Sequence, residues 1–179
     1  MINLVLFEPE IPQNTGNIMR TCVGTNTHLH LIEPLGFRLD EHHIKRSGVN
    51  YIKYLKYDVY MDFDDFIEKR IKDNPKAKMY FLTRYGRHHL HEVDCHNKDL
   101  DYYFILGKES TGIPKEILKD YLDVCIRLPM TDKVRALNVS NVAAIMVYEA
   151  LRQQGFPGLY EYEPSADKDG FKGEDYLER

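Results

Sequence analysis

An α/β domain built on a mostly parallel sheet is the fold class this sequence predicts. Short strand-like runs recur along the chain, among them Ile2–Phe7 (INLVLF), which is almost continuously apolar, His28–Ile32 (HLHLI) and Asp101–Leu106 (DYYFIL). Such runs suit strands covered on both faces. Helical segments alternate with them, and strands separated by helices favour parallel pairing. Polar, glycine-containing loops follow several of the runs, at the strand ends where open α/β sheets bind ligands.

Ile2–Phe7 is the first strand. Asn14 is placed to cap a helix running to about Thr25. His28–Ile32 is the second strand, closed by Glu33, Pro34 and Gly36. A short helix is expected from Asp40 to about Gly48. Asp62 can cap a helix to about Lys72, which Asn74 and Pro75 stop. Lys78–Thr83 and Asp101–Leu106 are the third and fourth strands. Pro114 suits the first turn of a short helix to Asp120. Asp123–Pro129 is the fifth strand. A long helix runs from Asn138 to about Gln154 and stops at Gly155 and Pro157. Its apolar residues (Val139, Val142, Ala143, Ile145, Met146, Val147, Ala150, Leu151) cover a wider arc than a surface helix needs. Either the helix is central in the monomer, or one flank packs on a second subunit, with Val142, Met146 or a neighbour at the contact.

The 179 residues are enough for one domain with a sizeable core. That domain is expected to span residues 1–160, with no internal repeat. No apolar stretch approaches membrane-spanning length, and the start lacks a signal-peptide pattern. Cys22, Cys95 and Cys125 are odd in number and far apart, which favours a reducing cytoplasm over a disulfide framework. Net charge is −4, and residues 161–179, with seven acids and three bases, carry all of it. They are expected to form a loose tail. Within the neutral remainder, residues 42–57 hold Lys45, Arg46, Lys53 and Lys56 and no acid. Tyr51, Tyr54 and Tyr57 lie among them. That mixture suits either an RNA-binding surface of phosphate contacts and stacking, or a solvated helix face beside strand tyrosines.

Three loops carry the chemistry. Phe104–Pro114 (FILGKESTGIP) has the glycine spacing of a phosphate-binding P-loop in Gly107 and Gly112. Ile113 and Pro114 then stand where that motif needs Lys and Ser or Thr, so a P-loop is excluded. Pro9–Cys22 carries Asn14, Asn17 and Arg20 at helical spacing, a hydrogen-bonding edge for phosphate or ribose. Arg127–Ala143 feeds the long helix, with Asn138, Ser140 and Asn141 crowding its start. One of them can cap it, and its free N–H groups attract an anion or a polar ligand. His91–His96 (HEVDCH) places its second histidine one residue too late for a helical zinc pair, so no metal is expected even with His88 and His89 nearby. No G-x-G-x-x-G occurs, which leaves a Rossmann-type site unsupported.

Together, EPEIPQNTGNIMRTC, LGKESTGIP and IRLPMTDKVRALNVSNVAAIMVYEALRQ resemble the three ordered motifs of the SPOUT-class RNA 2′-O-methyltransferases. The resemblance spans residues 1–160 and is nearest the small TrmL/YibK type, which modifies the wobble ribose of tRNA. It implies a C-terminal trefoil knot, a homodimer, and S-adenosylmethionine held by Leu82, Gly107, Gly112, Leu128 and Ala136, largely through backbone. It assigns Arg20 to the acceptor and Glu109 to ordering the site. Asn14 supports Arg20, and Asn138 holds the third motif. Related enzymes often have serine where this chain has Ala136, so a side-chain hydrogen bond there is missing. The implied substrate is C34 or a U34-type nucleotide in leucine tRNAs. Another RNA site or base, or a non-catalytic RNA-binding protein of the same fold, remains the alternative.

Overall fold

The computed structural model describes residues 1–39 and 51–160. The helix expected from Asp40, the bases Lys45 and Arg46, and residues 161–179 lie outside the described residues.

Seven parallel strands form one sheet: β1 (Ile2–Phe7), β2 (His28–Ile32), β3 (Tyr57–Tyr60), β4 (Ala77–Leu82), β5 (His88–His89), β6 (Asp101–Leu106) and β7 (Cys125–Arg127). Their order across the sheet is β3-β2-β1-β6-β4-β7-β5. β7 therefore lodges between β4 and β5, although it follows both in the chain. Among the described residues, four helices cover the faces: α1 (Pro12–Thr25), α2 (Phe63–Phe66, continued as a π-helical turn over Ile67–Ile71), α3 (Lys115–Leu118) and α4 (Val139–Gln154). On β1 and β6 the two-residue alternation divides the core. Leu4, Leu6, Phe104 and Leu106 face α1 and α4, together with Ile18 and Met146. Val5, Phe7 and Ile105 face the other side, with Phe66, Phe81 and Leu118.

Several details correct the sequence reading. β3 and β5 are additional strands. Asn14 does not cap α1: Ile11 is the cap residue, with Pro12 opening the first turn, and Asn14 is buried inside the helix. Met146 is fully buried in the core and is not available to a second subunit. The α4 boundary is as expected. Asn138 caps it by accepting from the Ser140 N–H, and Gly155 ends it at φ +72°.

The N-terminal edge of the sheet is tied by a polar network whose proton positions follow from its partners. Asn3 Nδ2 donates to the Tyr102 carbonyl at 3.2 Å, which turns its Oδ1 toward His30 Nε2 at 3.1 Å. Nε2 therefore carries the proton, and Nδ1 accepts from the Tyr60 hydroxyl at 2.9 Å. The Tyr60 oxygen accepts from Arg70 Nε at 2.7 Å, and Arg70 also pairs with Asp58. Burial first, then the charges of His28 and Arg70, push the His30 pKa from 6.5 down to about 3. His28, His30 and Asp58 come close enough to hold a cation. Both ring nitrogens of His30 and the Asp58 carboxylate are already committed to this network.

Because the folded pKa is depressed, this contribution to stability is complete above the ordinary histidine value of 6.5 and is lost as pH falls from there toward 3. The slope is at most about 1.4 kcal/mol per pH unit. Urea unfolding is expected to give a lower stability at pH 5 than at pH 7. The decrement should shrink in His30→Gln; an equal decrement would remove His30 as its cause.

Candidate active site

The C-terminal ends of β1, β6 and β7 deliver the three loops to one edge of the sheet. Side chains staple them together. Glu109 Oε1 accepts from Asn14 Nδ2 at 2.9 Å, and Oε2 accepts from the backbone N–H of Glu10, also at 2.9 Å. Asn138 Nδ2 donates to Asn14 Oδ1 at 2.9 Å. Capping α4 fixes the orientation of Asn138: its oxygen takes the Ser140 N–H at 2.8 Å, which leaves its amide donor for Asn14. Asn14 then spends its oxygen on loop three and its amide N–H on loop two. The buried Asn14 is the hub of the site.

Two carboxylates that sequence reading passed over complete the clamp. Glu10 accepts from the Ser110 hydroxyl at 2.7 Å and the Ser110 N–H at 2.8 Å. Those bonds, side chain first, hold its pKa below the usual carboxylate range. Glu8 accepts from Lys108 Nζ at 2.6 Å, and its backbone sits at φ +46°. A non-glycine residue held there points to strain kept for a purpose. The signal in the sequence was the E-x-E pair at the end of the first strand.

Loop two is shaped by its glycines. A Cβ on Gly107 would lie 2.4 Å from both the Gly112 carbonyl carbon and the Ile113 nitrogen. Gly112 adopts φ +76°, and the space above it is open. Strand register brings the other expected donor contacts to the same edge. Leu82 pairs with Leu106, the residue before Gly107, and with Ile126, two before Leu128. Ala136 is exposed two residues ahead of Asn138. Close backbone packing at Gly107 and open space over Gly112 suit a ligand recognised mainly through main-chain atoms.

Arg20 lies elsewhere. It is exposed, its guanidinium is 5.1 Å from the centre of the Tyr51 ring, and the Tyr51 hydroxyl donates to the Gly16 carbonyl at 3.3 Å. Six residues of helix, about 9 Å, separate it from Asn14. Asn14 and Arg20 are also about 120° apart around the axis, so one faces inward and the other outward. Asn14 supports Glu109 and Asn138; no hydrogen bond joins it to Arg20 among the described residues. Lys53 and Lys56 are exposed, with Lys53 Nζ 4.9 Å from the Tyr54 ring centre.

An open cleft of about 330 Å³ lies at the opposite, N-terminal edge, lined by Asn3, His28, His30 and Arg70 among others. Its lining cations Arg70 and Lys69 are paired with Asp58 and Asp65. The stapled loops, with donors and open backbone at the strand ends, are the better site.

Glu109→Gln tests the clamp. One acceptor becomes an NH₂ group facing either the Glu10 N–H or the Asn14 amide. The expected cost is about 1–2 kcal/mol, seen as a lower melting temperature. Unchanged melting would mean the carboxylate does not hold the loops.

A parallel α/β sheet whose three polar loops are hydrogen-bonded together at the C-terminal strand ends belongs to the class of open α/β proteins that bind ligands at that edge. Residues 1–148 match the SpoU rRNA Methylase family, and the chain belongs to it. It is 48% identical over 170 residues to a Listeria innocua protein provisionally named tRNA (cytidine(34)-2′-O)-methyltransferase, covering 95% of this chain and 98% of that one. A Bacillus anthracis structure, provisionally an RNA methyltransferase, matches with a TM-score of 0.85 at 46% identity, over 89% of this chain and 98% of that chain. A structure presented as giving insight into 2-OH methylation of C/U34 on tRNA matches with a TM-score of 0.76 at 35% identity, over 87% and 97%. Among the described residues, no helix is long and apolar enough to cross a membrane.

Proposed function

We propose that this protein transfers a methyl group from S-adenosylmethionine to the ribose 2′-oxygen of the wobble nucleotide, C34 or a U34-type residue, of tRNA, with leucine isoacceptors as the substrates. The observation that carries the reading is the clamp of Asn14, Glu109 and Asn138, which ties the three loops together at the C-terminal strand ends. The 48% identity to a protein named for this activity supports it.

When bound, the sulfonium supplies a methyl group already activated for displacement. The chain's task is alignment and charge. Gly107 and Gly112 let the backbone approach the donor closely. Leu82, Leu128 and Ala136 line the same edge. Glu109, Asn14 and Asn138 keep the loops in register, so that acceptor oxygen and methyl meet in line. Arg20 contacts the acceptor's phosphate and ribose and stabilises the negative charge that grows on the 2′-oxygen. Arginine stays protonated at any relevant pH, so its role here is electrostatic.

The protein works as a homodimer. Arg20 stands about 9 Å along α1 from its own chain's clamp and reaches a donor loop on the second copy. Ile145 and Tyr148, exposed on α4, offer the contact surface in place of Met146. The threaded C-terminal segment that accompanies this fold is supported by β7 lying between the two earlier strands β4 and β5. The reading is tested by incubating the protein with labelled donor and bulk tRNA, then mapping the labelled nucleoside. Label on a 2′-O-methylated nucleotide at position 34 is expected. Label on a base nitrogen, or none, overturns it.

A further inference from the structure

The crossover from β4 to β5 carries a cluster that neither the clamp nor the donor loop uses. Arg84, Tyr85 and Arg87 are exposed there, joined by the exposed Arg127 at the end of β7. The Arg84 guanidinium lies 4.7 Å from the centre of the Tyr85 ring. Arg127 Nη1 donates to the Arg84 carbonyl at 3.1 Å. The turn beneath them is firmly seated. Thr83 N donates to the Ile126 carbonyl at 3.0 Å and Gly86 N to the Thr83 carbonyl at 3.1 Å. A Cβ on Gly86 would fall 2.4 Å from the Ile126 carbonyl carbon. These side chains are therefore presented from fixed backbone.

The charge is one-sided. Residues 83–91 contain no acid, and residues 127–137 set Arg127, Lys133 and Arg135 against Asp132 alone. The nearest acid to Arg87 is Asp123 at 3.9 Å, with both side chains mostly in solvent (62% and 96% exposed). Such a pair leaves the guanidinium available.

Position separates this cluster from the basic stretch that stands out in the sequence. Leu82 pairs with Leu106, so Thr83 sits beside Gly107 and Arg84 comes next. Lys56 instead precedes β3, and its carbonyl accepts from Leu29 at the start of β2. A strand's length, about 17 Å, lies between that edge and the donor loop of the same chain. The crossover is at the donor's edge; Lys56 is not.

We propose that Arg84, Tyr85, Arg87 and Arg127 form the surface that seats unpaired substrate RNA beside the donor loop, the guanidinium groups on backbone phosphates and the tyrosine stacked on a base. This rests on the methyl-transfer reading above. Unpaired RNA offers regularly spaced phosphates and open base faces, and arginines around an exposed ring match both.

The test compares Arg84→Gln/Arg87→Gln and, separately, Tyr85→Ala with a charge-matched control at the opposite edge, Lys69→Gln/Lys72→Gln. Binding to bulk tRNA is measured over a series of salt concentrations, and donor binding by calorimetry. The arginine pair is expected to weaken binding at least tenfold at low salt, with the salt slope flattened by about 1.5. Tyr85→Ala is expected to weaken it roughly tenfold with the slope kept. The control and all donor affinities should match wild type. Wild-type affinity and slope in the arginine pair, or an equal loss in the control, overturns the proposal, as does a parallel loss of donor affinity. Methylation by the wild type separates the two readings. Tight tRNA binding without 2′-O transfer sinks the reaction and leaves the surface standing, whereas a wild type that binds no RNA sinks both.

Discussion

Gly107→Ala is expected to abolish methyl-donor binding. The added methyl would sit 2.4 Å from main-chain atoms of Gly112 and Ile113, with no flexible side chain there to yield. The loop must therefore open. Its opening would pull on the Gly112 N–H, which donates to the Lys108 carbonyl at 2.8 Å, and on Ser110 and Glu109, which anchor it to the first loop. Gly112→Ala is the informative contrast. No atom lies within 4 Å of its Cβ, but φ +76° strains any L side chain. The expected cost is about 1–2 kcal/mol, from backbone strain alone. Calorimetry with the donor and thermal melting measure the two variants side by side. At least a hundredfold weaker binding in Gly107→Ala corresponds to about 2.7 kcal/mol. Wild-type donor affinity in Gly107→Ala would remove loop two from the donor site.

What the sequence revealed of this fold depended on how deeply each element is buried. β1, β2 and β6 are covered on both faces, and their short apolar-rich stretches could be read as strands. β3 is an edge strand with Tyr57 and Val59 exposed, so its residues merged into a basic, aromatic stretch. β5 has two residues, too few for any periodicity. α4 was legible because a side-chain cap and a left-handed glycine mark its ends. Asn14 illustrates the opposite case. An asparagine near a helix start reads as a cap by local propensity, yet this one is buried and hydrogen-bonded to residues 95 and 124 positions away. No local rule anticipates a partner at that distance. The same holds for Glu8 and Glu10, whose partners Lys108 and Ser110 are each 100 residues on. Their places after strands identified the loops, and only the fold revealed that acidic side chains tie them together.

Arg20→Ala is expected to leave donor binding intact and lower turnover at least a hundredfold, because charge on the acceptor oxygen develops only in the transition state. Its ground-state contact is the Tyr51 ring, away from the clamp, so its loss should not disturb loop two. The proposed homodimer makes a sharper prediction for mixed dimers. One chain carrying Arg20→Ala and one carrying Gly107→Ala, differently tagged and co-expressed, can be purified as a heterodimer. Suppose each site combines one chain's donor loop with the other chain's arginine. One site then unites the intact loop of the first chain with the intact Arg20 of the second, while the other site receives both lesions. A twofold dimer of this kind should regain about half of wild-type activity, although each homodimeric variant is nearly inactive. If Arg20 serves its own chain's donor loop, every site in the heterodimer carries one lesion and no activity returns. A labelled-methyl assay on the doubly purified heterodimer distinguishes the outcomes directly. Absence of recovery, with the dimer intact by light scattering, would mean that the 9 Å gap of about six helical residues is closed within a single chain and not across the pair.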